Sequence, residues 1–292
     1  MSVTREEICS QPEMWRQAAD LLPEVSGQLP APGDRVAIVG CGTSFFIAQA
    51  VAAARETAGH GETDAFVASE MPAERAYDLV LAISRSGTTT EVVRCLEALP
   101  ATVRSLAVSA VPESPVVQAA NDAIILAFAD ETSIVQTRFA TTALALLRAH
   151  LGHDLSAAIV DAQTVLDQPL PAQPAEFEHF VFLGHRWTVG LAAEAALKFR
   201  EAGQAWAESY PAMEYRHGPI SVAGSGTLVW FVGDADPDLV RDVRATGATV
   251  VTQPYDPMAE LVALQQGAVA LAEAKGLDPD NPQHLTRSVV LG

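Results

Sequence analysis

The chain has 292 residues, 49% of them hydrophobic, with 36 acidic against 18 basic side chains and a formal net charge of −18. This length fills one large core or two modest ones, and the composition excludes a disordered chain. The charge argues against nucleic acid and acidic membranes as partners, because a phosphate backbone needs a basic surface; one small phosphate held in a pocket stays compatible with it.

Apolar runs such as AAIVDAQTVL are broken by charges, so no membrane span is expected. The N-terminus MSVTREEICSQPEMW is polar and acidic, without the apolar core of a signal peptide, and points to the cytoplasm. Cys9, Cys41 and Cys95 are scattered without a CxxC pair, which argues against a disulfide framework and a structural zinc site. The seven histidines show no H-x-x-x-H spacing, so no metal site is expected, and no redox cofactor is expected for the proton transfer argued below.

In chain order, three apolar runs in the first half each lead into a helical pattern. RVAIVGCGTS precedes FFIAQAVAAARE, YDLVLAISRSG precedes TTTEVVRCLEAL, and VRSLAVSA precedes SPVVQAAN. AIILAFAD follows, ahead of the apolar helix TTALALLRAHLG. This alternation predicts βαβ units and a mainly parallel sheet covered on both faces. After the proline-rich stretch DQPLPAQPAEFE the pattern starts again: HFVFLGHRWTVGLAAEAALKFRE repeats strand, glycine, turn and alanine-rich helix, with Gly184 where Gly40 stood. GTLVWFVGDADPDLVRDVRATG echoes the strand-turn-helix at 79–99. The expected division is 1–165, an N-terminal helical segment plus a first α/β domain, and 175–292, a second α/β domain with a C-terminal tail.

In a parallel sheet, ligands bind beyond the carboxyl ends of the strands, where free N–H groups and helix dipoles favour anions. Ser84, Ser86, Thr88 and Thr89 crowd one such turn around Gly87, and Ser44 lies in the equivalent turn GCGTS. One hydroxyl per turn is ordinary N-capping; four are not. Neither turn is a G-x-G-x-x-G or Walker loop, so a phosphomonoester is the expected ligand. The second half carries VGDADPD in place of ISRSGTT, which confines these hydroxyls to the first half.

The pairing of CGTS with SRSGTTTE resembles the sugar isomerase (SIS) domain family. ETSIVQTRFATT, AALKFREAGQAWAESYPAMEYRHGP and NPQHLTRSV extend that resemblance to the double-SIS isomerase half of the glucosamine-6-phosphate synthases and to related amino-sugar-phosphate deaminases and deglycases. The resemblance implies two tandem flavodoxin-like SIS domains, each a three-layer αβα sandwich. It implies phosphate binding by Ser44, Ser84, Arg85, Ser86 and Thr89, with Arg85 standing where the synthases have Gln, and sugar binding by Gly42, Thr43 and Glu131. It also implies a catalytic set of Lys198, Glu201, His217 and Arg287. In the family the histidine assists ring opening and comes from a neighbouring subunit, so a homodimer with His217 across the interface is expected. Arg287 stands where the synthases have an imine-forming lysine; a guanidinium stays protonated and cannot act as that amine.

Moving a hydrogen between C1 and C2 of an open sugar needs a base that can return the proton, and a carboxylate in a partly dry pocket can do this. Glu201 is the expected base. Its spacing from Lys198 puts both on one helix face, and an ordinary surface ion pair, with Glu194 as another partner, is the plain alternative. No glutaminase segment with an N-terminal cysteine is expected, since Met1 is followed by Ser2. The expected activity is therefore isomerising deamination or deglycation of an amino-sugar phosphate, for example glucosamine 6-phosphate to fructose 6-phosphate and ammonia. A synthase-type subunit using ammonia or a separate glutaminase, and a non-catalytic phosphosugar sensor, are the alternatives.

Overall fold

The computed structural model describes residues 2–72 and 74–292. Its elements run in chain order as α1 (Val3–Cys9), α2 (Gln11–Val25), β1 (Val36–Gly40), α3 (Thr43–Thr57), β2 (Thr63–Val67), β3 (Leu79–Ile83), α4 (Thr90–Glu97), β4 (Arg104–Ser109), α5 (Pro115–Ala119), β5 (Asp122–Ile125) and α6 (Arg138–His150). There follow α7 (Ser156–Asp167), β6 (His179–Gly184), α8 (Thr188–Glu201), β7 (Trp206–Pro211), β8 (Thr227–Val232), α9 (Pro237–Ala245), β9 (Thr249–Val251) and α10 (Pro257–Ala274).

Two compact units result. The first comprises Glu13–Leu155 with Thr286–Gly292; the second comprises Met1–Pro12 with Ser156–Leu285. Both chain ends therefore depart from the sequential division at 1–165 and 175–292. The start of α1 is pinned inside the second unit, where the Asp280 carboxylate accepts from the Val3 and Thr4 N–H groups at 2.8 Å each. The tail is held in the first unit by hydrogen bonds of residues 287–291, described below.

The first unit is built on a five-stranded parallel sheet of order β2-β1-β3-β4-β5. VAIVG and LVLAI are buried along their whole length, which is why they read as continuous apolar runs. One face, with Val39, Val80, Ala82 and Ala107, packs under Val92 and Leu96 of α4 and Val116 of α5. The alternate residues Ile38, Leu81 and Leu106 lie in register and are equally buried; α3 packs on β1 and β3, and α6 on α3. The expected layering of helices on both faces is present in this unit.

The second unit holds a four-stranded parallel sheet, β7-β6-β8-β9, repeating the order of the first four strands of the other sheet. Val181, Leu183, Val229 and Phe231 pack under Leu239 and Val243 of α9. On the opposite face the Phe199 ring of α8 lies 4.8 Å from that of Phe180 and 5.0 Å from that of Phe182. Helix α10 is buried along most of its length, packing against α7, α8 and α1. Both sheets share one steric device. A Cβ on Gly40 would come within 2.7 Å of the Ser44 backbone, and one on Gly184 within 2.3 Å of the Thr188 carbonyl oxygen. Glycine at each strand end lets the following helix start immediately over the sheet.

Strands β2 and β7 lie outside the sequence expectations. Both are edge strands with half-exposed, mixed patterns, TDAFV and WAESYP, and neither has the apolar run that marks a central strand. Among the described residues no helix is long and apolar enough to cross a membrane.

Candidate functional site

In the first unit the chain leaves β1 toward β2 on one side and returns to β3 on the other, so strand order reverses between β1 and β3. At such a switch point the two following turns part and leave a crevice at the carboxyl end of the sheet. The turns here are 41–44 and 84–90, the hydroxyl-bearing pair. Val39 is paired with Ala82, so the turns emerge from adjacent strands.

The hydroxyls do not cap their helices. Thr89 is the N-cap residue of α4 and makes no side-chain capping bond, and Gly42 precedes α3. Ser44 and Ser84 are each 4% exposed. Neither their hydroxyls nor that of Thr89 hydrogen-bonds to another described residue; Ser86 Oγ accepts from the N–H of Thr88 and lies 3.1 Å from its hydroxyl oxygen. Gly87 has φ +64°, and a Cβ there would lie 1.9 Å from Ser114 Oγ, so only glycine fits the bend. Three neutral donors without protein partners at two helix starts suit the oxygens of an anion.

The tail closes over this turn. Thr90 N–H donates to the Val289 carbonyl (3.2 Å), Leu291 N–H donates to Thr90 Oγ1 (2.9 Å), and Thr88 Oγ1 donates to Ser288 Oγ (2.8 Å). Arg85, 5% exposed, directs its guanidinium to the Ser133 carbonyl at 2.8 Å and the Arg287 carbonyl at 2.7 Å, with the Glu131 carboxylate 3.8 Å away. Glu131 Oε1 in turn accepts from Thr137 N–H, Thr137 Oγ1 and Arg138 N–H at 2.6–2.8 Å, serving the start of α6. Arg287 pairs with Asp130 at 2.5 Å and donates to the Glu131 carbonyl. Arg85, Glu131 and Arg287 are thus tied into a network that fixes the tail beside the turn. Asp130 was not expected from sequence; its only signal is adjacency to Glu131.

In the second unit the spacing of α8 places Glu194, Lys198 and Glu201 on one face. Lys198 is 1% exposed; its Nζ lies 2.5 Å from Glu201 Oε2 and 3.4 Å from Glu194 Oε1. Glu194 is fully buried, whereas the Glu201 side chain keeps 19% of its surface. This is a buried ammonium shared by one inner and one outer carboxylate, not a surface ion pair. The sequence reading gave Glu194 no part in the site; its clue was an acid inside the buried alanine run AAEAAL. His217 ends a short 3-10 turn, exposed and without a hydrogen bond to other described residues, before Gly218. At the switch point of this sheet, Asp236 caps α9 and Asp234 lies beside it in the turn after β8. Two carboxylates there repel a phosphate. Among the described residues no cluster of three or more His, Cys, Asp or Glu could hold a metal.

Residues 31–151 match the SIS domain model. The glutamine–fructose-6-phosphate aminotransferases of Thermus thermophilus and Halobacterium salinarum are 28% and 27% identical over 90% and 98% of this chain, covering 53% and 58% of those proteins. The chain spans about half the length of the curated relatives it matches. A glucosamine-6-phosphate deaminase from Thermotoga maritima is similar from end to end, with 26% identity, a TM-score of 0.83 and coverage of 99% of this chain and 100% of that one. The C-terminal domain of the Francisella tularensis glucosamine-fructose-6-phosphate aminotransferase shares the fold at 22% identity and a TM-score of 0.75, covering 96% and 98%. The crevice, its hydroxyls and the five-stranded sheet all lie within the stretch 31–151 that matches the SIS domain model, and the chain is similar to the glutamine–fructose-6-phosphate aminotransferases over about half of their length.

Proposed function

We propose that this protein is an isomerase-type phosphosugar enzyme that removes the nitrogen of an amino-sugar phosphate. The observation that carries this reading is the Glu201 carboxylate, partly accessible and held 2.5 Å from the buried ammonium of Lys198. Such a pair positions a base that takes and returns a proton without a cofactor. The end-to-end similarity to a glucosamine-6-phosphate deaminase supports the same class. Arg287 supports it further. Its guanidinium stays protonated beside Asp130, so the imine that an amine could form with substrate at this position is closed to it.

Ser44, Ser84, Ser86 and Thr89 bind the phosphate, and Arg85, Glu131 and Arg287 hold the turn and tail in place. Gly42 and Thr43 line the sugar. Glu201 takes the C2 proton of the open-chain 2-amino aldehyde and returns it to C1. The resulting C2 imine is cleaved by water to the ketose phosphate and ammonia. His217 carries the ring-opening proton for the neighbouring copy in a homodimer, which fits its exposure. The second sheet is a divergent second SIS domain, as its strand order supports.

The test is ammonia release from glucosamine 6-phosphate, galactosamine 6-phosphate and a fructosamine 6-phosphate conjugate, scoring free amine for the conjugate. Wild type should turn over one of them, and Glu201→Gln should lose about 10²–10⁴-fold in rate while still binding the phosphosugar. Incorporation of ammonium into fructose 6-phosphate without net release would move the assignment to synthesis. Binding without turnover in either direction would make the protein a sensor.

A further inference from the structure

The second unit contains a cavity of ≈ 230 Å³ that none of these roles uses, lined among others by Val165, Gln168, Leu170, Trp230, Tyr255 and Glu260. Glu260, on α10, is fully buried. Its Oε2 accepts from the Trp230 indole N–H at 3.0 Å and its Oε1 from the Gly233 N–H at 3.0 Å. The other charges bearing on it are Asp256 and Asp234, both acidic. Asp161, on α7, accepts from the Asp256 N–H and adds another acid nearby. No lining side chain is basic among the described residues. The cavity thus joins a carboxyl without a cation to aromatic walls and the amide and hydroxyl groups of Gln168, Gln253 and Tyr255. We propose that this cavity is a second ligand site, separate from the phosphate turn and taking a small organic cation, a protonated primary amine with a short apolar body.

Three features select that class. The acidic surroundings favour a cation over an anion or a neutral alcohol. Aromatic residues in the wall favour an ammonium over a bare metal ion, which would need several oxygen ligands. The volume suits a metabolite-sized amine rather than a drug-sized molecule. Burial and the two neighbouring carboxylates push the Glu260 carboxyl up to about 8, so near neutral pH an entering cation displaces its proton. Binding should therefore tighten about tenfold per pH unit as pH rises toward 8 and level off above it.

The experiment follows the Trp230 indole N–H by ¹H–¹⁵N NMR, assigned with Trp230→Phe, during titration with n-butylammonium chloride at pH 6, 7, 8 and 9. The expected result is a saturable shift with that pH dependence, absent with n-butanol or with KCl at equal ionic strength. Glu260→Gln should abolish it. Ala263→Met, which fills the cavity and keeps the carboxyl, should abolish it too, read on a variant with wild-type circular dichroism. No saturable shift, an equal response to n-butanol, pH-independent binding or persistence in both variants would each overturn the site. None of these outcomes bears on ammonia release, so this proposal and the proposed activity fail independently.

Discussion

Lys198 and Glu260 are two buried titratable groups with opposite consequences. Lys198 lies between two carboxylates with 1% of its side chain exposed. Lys198→Met brings those carboxylates together without the ammonium they share, at a cost of about 3–5 kcal/mol in urea unfolding. Glu201→Gln should cost far less, because its side chain reaches solvent. Activity is lost in both, so stability is the readout that separates them. For Glu260 the native carboxyl stays protonated up to about pH 8, while in the unfolded chain it ionises near the usual glutamate value. Below the unfolded value both states carry the proton and the contribution is fully present. Between the two values only the native state does, so stability falls as pH rises through that window. Glu260→Gln removes this slope. The variant should gain on wild type by on the order of a few kcal/mol between pH 5 and pH 8, followed by thermal unfolding at each pH.

The tail and the serine-rich turn act as one assembled piece. Removing residues 287–292 deletes the partners of Thr88, Thr90 and the Arg85 guanidinium. We expect weaker phosphosugar binding, about tenfold or more by calorimetry, with faster amide exchange at 85–90 and an unchanged far-UV spectrum. None of this was visible in the sequence, since the pairing joins segments about 200 residues apart. Central strands were legible because burial on both faces writes a continuous apolar run. Edge strands β2 and β7 were not, because Asp64, Glu208 and Pro211 interrupt theirs. The crevice could be read because its hydroxyls exceed what capping needs. The employment of Arg85 and Glu131 could not, because which carbonyl or N–H a charged group meets depends on the folded backbone. Glu194 shows the same limit: its spacing was plain, and its full burial was not.

The whole molecule carries 18 more acidic than basic side chains. That excess repels itself in the compact state, and added salt screens it. The melting temperature should therefore rise by several degrees between about 10 mM and 300 mM NaCl; a salt-independent value would show that local pairing already offsets the repulsion. A different consequence follows from the composition of the first unit, which takes in Thr286–Gly292 along with Glu13–Leu155. On the ribosome these last residues are joined roughly 130 positions after Leu155. At ~5–20 residues per second that is a wait of about 7–26 s. The five-stranded sheet is complete early in synthesis, but the groups that fasten its serine-rich turn do not yet exist. A ligand of that turn meets the fastened site only after residues 286–292 have been added.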